Sequence, residues 1–253
     1  MLFCDAHIHL AQCREDLNLN DRKVCTCAHS MEEFLLQERI ARSHEGALIV
    51  QAFGIHPQNP DMSGAPFMQS LLEEGRIKAV GESGFDFFTR EFRAMESMQE
   101  EAWNVSLDLS IKYGVPLIVH CRKAFDKVLS ARRRLKAVPS VIMHSFAFTE
   151  REAEALLSHG VNAYFSFGKQ ILNGNKRSTG CVMSLPLDRI LLETDAPYQT
   201  LRGETVTLSG DIEKVCLGFC ALRGLKAVDA CAALEKNFDM AFGLRHESVA
   251  RRP

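Results

Sequence analysis

Leu2-Phe3-Cys4-Asp5-Ala6-His7-Ile8-His9 joins a short apolar run to two histidines one residue apart. An apolar run this short, bounded by polar residues, reads as a strand covered on both faces, the kind found in parallel sheets. The unit recurs. Val24–Ala28, Ala47–Phe53, Ile77–Val80, Pro116–Val119, Val141–Met143, Ala163–Phe167 and Ile190–Leu192 bring the set, with Leu2–Cys4, to eight runs. Segments of helical period lie among and after them: Glu32–Arg42, Glu91–Tyr113, Lys123–Leu135, Glu150–His159, Asp211–Ala221 and Ala227–Phe242. Helices of that length suit the crossovers that parallel strands require. Eight such units predict an α/β chain closed into a (β/α)8 TIM barrel, one domain over residues 1–253. Cys25-Thr26-Cys27-Ala28 makes the poorest strand of the eight. On pattern alone an open doubly wound sheet is the alternative.

Composition narrows the function. The 30 Lys and Arg nearly balance the 32 Asp and Glu, for a net charge of −2, which excludes a strongly basic nucleic-acid coat and an acidic disordered tail. A hydrophobic content of 46% supplies a large core. No apolar run nears the roughly 18 residues of a membrane span, and the N-terminus lacks the basic segment of a signal peptide. The nine scattered cysteines match no disulfide or zinc-finger framework and read as free thiols, so a reducing, cytoplasmic compartment is expected. A barrel of this size can stand alone, and a monomer is expected.

The polar residues at the ends of the runs point to chemistry. His7 and His9 follow the first run, His56 the third, Glu82 and Asp86 the fourth, His120 and Arg122 the fifth, His144 the sixth and Asp195 the eighth. Five of the nine histidines therefore stand where the strands of a barrel would converge on one mouth. In extended chain His7 and His9 share a face and can chelate a cation as a neutral pair; the alternative is a chance pair on a polar loop. A carboxylate near a barrel core costs several kcal/mol unless it is paired. Glu82 must therefore bind a cation or meet an arginine, and Asp195 must bind a cation or cap a helix before Pro197. Together His7, His9, Glu82, His120, His144 and Asp195 give six ligands, too many for one zinc. They predict two divalent cations about 3.5–4 Å apart, with Glu82 as the bridge. The mixed imidazole and carboxylate set favours zinc or manganese over calcium and leaves magnesium open.

These stretches resemble the TatD family of metal-dependent hydrolases, within the amidohydrolase-like barrels. The likeness runs through residues 3–10, Gly54-Ile55-His56-Pro57, residues 80–86, residues 116–124, residues 143–146, residues 191–198 and Asn237-Phe238, in the family's order and over nearly the whole chain. It implies one metal on His7, His9, Glu82 and Asp195 and a second on Glu82, His120 and His144. It also implies a deoxyribonuclease acting on the 3′ end of single-stranded DNA, with aminoacyl-tRNA deacylation known in some members, and a substrate contact at His56. Phe85, Lys123 and Leu201-Arg202-Gly203-Glu204 depart from the family pattern and bear on substrate choice.

In the expected reaction a divalent cation lowers the pKa of water to about 7 and Asp195 takes the proton as general base. Arg122 and Lys123 are candidate phosphate contacts, against surface ion pairing as the alternative. His56 either stabilises phosphoryl charge or is a loop histidine fixed at Pro57. Phe85, Phe87, Phe88 and Tyr198 either stack on bases or pack. Two other functions compete: a metal-dependent ester or amide hydrolase, such as an aminoacyl-tRNA deacylase, and a catalytically silent metal-binding scaffold.

Overall fold

The computed structural model describes residues 1–15 and 17–244. Eight strands form in chain order: β1 (Phe3–Ile8), β2 (Arg22–Ala28), β3 (Leu48–Phe53), β4 (Ala79–Asp86), β5 (Leu117–Arg122), β6 (Val141–Met143), β7 (Ala163–Phe167) and β8 (Ile190–Leu192). Each pairs in parallel with the next, in the order β1 to β8. Asp195 N donates to His7 O and His9 N to Ala196 O, both at 2.9 Å, so the sheet closes on itself just beyond β8. The buried Asp5 side chain stitches the same seam, accepting from Thr194 N at 2.9 Å and Thr194 Oγ1 at 2.6 Å. Closure rather than an open sheet is what sets Asp195 beside the two histidines of β1.

Among the described residues ten α-helices link or follow the strands: α1 (Met31–Ser43), α2 (Ala65–Glu73), α3 (Arg90–Ala94), α4 (Glu96–Tyr113), α5 (Phe125–Ser130), α6 (Arg132–Leu135), α7 (Glu150–Ser158), α8 (Lys176–Ser184), α9 (Ile212–Arg223) and α10 (Ala227–Ala241). Local chemistry sets their starts. Ser30 caps α1 by accepting from Glu33 N, and Thr149 and Glu152 form a capping box on α7. Alternate strand residues including Ala6, Cys25, Cys27, Val50, Ala52, Ala79, Ile118 and Ile142 form one buried cluster with Phe238, Ala241 and Phe242. The intervening residues, such as Val80, Leu117, Val141 and Phe165, pack in the larger cluster against the helices. Asn237 ties α10 to the chain around β8, donating to Leu187 O and Ile190 O at 2.7 and 2.8 Å. Among the described residues no helix is long and apolar enough to cross a membrane.

Three departures from the sequence reading have local causes. The segments expected at 91–113 and 123–135 each divide in two, and α2 and α8, nine residues each, fall outside the segments read as helical. α2 starts with a proline in its first turn, and Asn175 caps α8 by accepting from Arg177 N and Ser178 N. β4 runs on from Val80 to Asp86 through Gly81-Glu82-Ser83-Gly84, residues too polar to read as strand. Gly84 allows this: it has φ 144°, and a Cβ there would stand 2.1 Å from His120 O. Gly84→Ala is expected to cost on the order of 3 kcal/mol in a denaturant titration, because the clash is with backbone that cannot move aside.

Candidate metal centre

Glu82 sits at the middle of the barrel mouth, 2% exposed, and its two oxygens face different partners. Oε2 lies 3.1 Å from His7 Nε2 and 3.8 Å from His9 Nε2. Oε1 lies 2.5 Å from His120 Nδ1 and 3.3 Å from both His144 Nε2 and His56 Nε2. Asp195 Oδ1 closes the first group, at 3.6 Å from His7 Nε2 and 3.4 Å from His9 Nε2. Strand irregularities coincide with these ligands, since the register shifts between Asp5 and Ile8 and between Val80 and Ser83. Such a bulge re-aims side chains at the end of a strand.

Neither structural alternative for the acids is realised. No lysine or arginine pairs with Glu82 or Asp195 among the described residues; their ionic partners are imidazoles. Asp195 caps no helix: it has φ 55°, and the next helical turn begins only at Ser209. Its Oδ2 instead accepts from Gln199 Nε2 at 3.2 Å.

Outer partners orient the rings. His144 Nδ1 donates to Glu193 at 3.2 Å, leaving the Nε2 lone pair toward Glu82. His120 Nε2 donates to Asp86 Oδ2 at 3.1 Å, leaving Nδ1 toward Glu82. His7 Nδ1 meets Cys27 Sγ at 3.5 Å. His56 is turned the other way: Gln58 N donates to its Nδ1 at 3.2 Å, so its Nε2 carries the hydrogen. It faces Glu82 as a donor, which favours a substrate contact over a ligand.

The charges suit a cation. Burial alone would raise the Glu82 carboxyl, but His144, His56, His7 and the bond from His120 outweigh it and hold Glu82 well below the usual carboxylate range. Asp195 is also held low, burial being outweighed by His144, His9 and His7. Burial pushes His56 down to about 4 and lowers His9 as well. Ionised carboxylates and neutral imidazoles are the forms that coordinate metal. Burial opposes charge on His120 too, yet its bonds to Asp86 and Glu82 raise it to about 9. Against burial, Cys27 and Glu82 raise His7 as well, so these two rings take up protons as the positive charge that the carboxylates demand, and a cation would replace those protons. Overlapping sets of His, Glu and Asp bring their ligand atoms within 4.8 Å of one another. The donor set therefore fits divalent cations.

All six residues expected as ligands converge here, and His9, Glu82, His120, His144 and Asp195 line a cleft of about 560 Å³ together with His56 and Arg122. His29 and Gln199 were not anticipated as parts of the site, and the strand-end acids Glu193 and Asp86 were not among its expected ligands or contacts. Glu193 and Asp86 end strands that also carry ligands, and that position was the signal available. Glu204, in the segment that departs from the family pattern, pairs at 2.6 Å with Lys169, a fully buried lysine that also meets Asp211 at 2.5 Å. Glu193→Gln is expected to weaken divalent-cation binding about 10-fold in a chelator competition, because Gln is a weaker acceptor for His144 Nδ1–H.

The chain and its fold have counterparts among known proteins. The 3′-5′ ssDNA/RNA exonuclease TatD of Cronobacter sakazakii is 30% identical over 175 residues, which cover 67% of this chain and 64% of that protein. The chain thus spans less than two thirds of the length of that relative. The structure of YJJV, a TatD homologue from Escherichia coli K12, superposes with a TM-score of 0.84 at 25% identity, covering 96% of this chain and 98% of that one. An uncharacterized amidohydrolase from Saccharomyces cerevisiae shares the fold, with a TM-score of 0.72 at 15% identity over 95% of this chain and 99% of that one. The sequence profile described as TatD related DNase matches residues 4–243, from within β1 to just past α10, and so takes in every residue gathered at the mouth. The chain belongs to that TatD-related DNase family.

Proposed function

We propose that this chain, acting as a single-barrel monomer in the cytoplasm, is a divalent-metal-dependent deoxyribonuclease that trims single-stranded DNA from its 3′ end. The observation that carries the reading is Glu82, with one oxygen turned to His7 and His9 and the other to His120 and His144. His7, His9, Glu82 and Asp195 would hold one cation; Glu82, His120 and His144 would hold the second. Bound zinc, manganese or magnesium would supply Lewis acidity and a more acidic water.

The protein's own groups do the rest. Asp195, fixed through Oδ2 by Gln199, takes the proton of the attacking water as general base. The His56 Nε2–H donates to a phosphoryl oxygen as negative charge builds there. Arg122 lines the cleft, and its guanidinium lies 3.6 Å from the ring centre of Phe88, with Lys123 Nζ 4.5 Å from the same centre. Phe88 is 47% exposed and Tyr198 50%, whereas Phe85 is buried in the core. Two half-exposed aromatic rings, Phe88 with the cationic pair against it, suit unpaired bases and their phosphates, as in other single-strand binders. The names of relatives such as the Cronobacter sakazakii exonuclease support the same substrate class.

Arg122→Ala is expected to raise KM for a single-stranded oligonucleotide about 10-fold, with kcat changed less than twofold. A fall in kcat at constant KM would remove Arg122 from substrate binding. Assays on end-labelled single-stranded DNA, RNA and an aminoacyl ester under one metal condition test the substrate class. Turnover confined to the aminoacyl ester would replace the nuclease reading with a deacylase.

A further inference from the structure

His29 directly follows β2, at the mouth of the barrel, and the chemistry above does not use it. Its Nδ1 lies 3.1 Å from the backbone oxygen of Gly54. A carbonyl can only accept, so Nδ1 carries the hydrogen and Nε2 of the neutral ring keeps its lone pair. That Nε2 is buried, lacks a hydrogen-bond partner and lies 3.7 Å from Glu82 Oε2. The ligand atoms of His9, His29 and Glu82 all fall within 4.8 Å of one another. An outer nitrogen tied to a carbonyl, with an inner lone pair aimed at a shared carboxylate, is the arrangement of a metal-bound imidazole. The neighbouring His56, whose ring centre is 4.9 Å away, has the opposite tautomer.

We infer that His29 is a ligand of the cation on the Oε2 side of Glu82, joining His7, His9 and Asp195, and that this imidazole-rich set selects zinc over magnesium. Neutral nitrogen donors hold zinc well, whereas magnesium keeps oxygen ligands and several waters. The inference rests on the reading of the cleft as a two-cation centre, and its test separates the two.

The test compares wild type, His29→Asn and His29→Gln after removal of metal with a chelator. Asn sets an amide N–H close to where Nδ1 stands, so it can keep the bond to Gly54 O while removing the Nε2 lone pair. Matching thermal melts of the metal-free proteins confirm that each variant is folded. Zinc and magnesium affinities are read by competition with a chromophoric chelator, and cobalt loading by visible absorption. The expected result is two zinc ions per wild-type chain and, in the variants, one of them weakened about 10-fold or more. Magnesium affinity should stay within about twofold, and the cobalt spectrum should shift. Two zinc ions held with wild-type affinity and an unchanged cobalt spectrum would overturn ligation by His29 and leave the two-cation reading standing. A wild-type protein that binds no divalent cation would overturn both.

Discussion

Glu82→Gln is expected to remove metal-dependent turnover of single-stranded DNA altogether, a fall of at least about 10⁴-fold in kcat/KM. Among the described residues no other side chain presents one oxygen to His7 and His9 and the other to His120, His144 and His56. Gln keeps the shape but not the charge, and one of its two terminal atoms is a donor that no cation can use. Both sites are therefore lost at once. Thermal melts report this independently of activity. A cation at 100 times its Kd stabilises the folded protein by about 2.7 kcal/mol per site. Wild type should show that upward shift in Tm on adding zinc or manganese, and Glu82→Gln should show none. A Glu82→Gln protein that is still stabilised by both cations would remove Glu82 from the bridging position.

Asp195→Asn should act on the rate more than on binding. A positioned general base contributes about 10²–10⁴-fold, and Asp195 also faces His7 and His9 at the proposed cation site, so a loss of about 10³-fold or more in kcat is expected. The substitution preserves the seam, because closure there uses the backbone N–H of residue 195 bonded to His7 O. Asn can also still accept from Gln199. The metal-free Tm should accordingly lie close to that of wild type, and KM for DNA should change little. Unchanged kcat in the folded variant would rule out Asp195 as the base.

The fold was legible because the barrel reuses one unit, and the buried strands β6, β7 and β8 coincide with their apolar runs to the residue. The cluster at the mouth was legible for the same reason: each chemically unusual residue follows a run. Legibility failed where polar residues are structural. β4 continues for six residues past Val80 because Gly81 and Gly84 let β5 come close, which apolar patterning cannot register. His29 escaped notice because β2, with its small Cys-Thr-Cys-Ala end, read as the poorest strand, so the residue after it carried no positional weight. Glu193 and Asp86 were visible as strand-end acids, but their bonds to His144 and His120 depend on ring orientation across neighbouring strands. Spacing along one strand holds no such information. Phe85 and Phe88 looked alike in sequence, and only the packing of Phe85 against Trp103 separates the buried ring from the exposed one.

The most direct test of the account is a time course on 3′-terminated, 5′-end-labelled single-stranded DNA with magnesium, manganese or zinc, run beside Asp195→Asn. The account predicts products that shorten one nucleotide at a time from the 3′ end, only when a divalent cation is present, and none with the variant. Intact DNA under every metal condition, from wild-type protein shown to be metal-loaded, would contradict it.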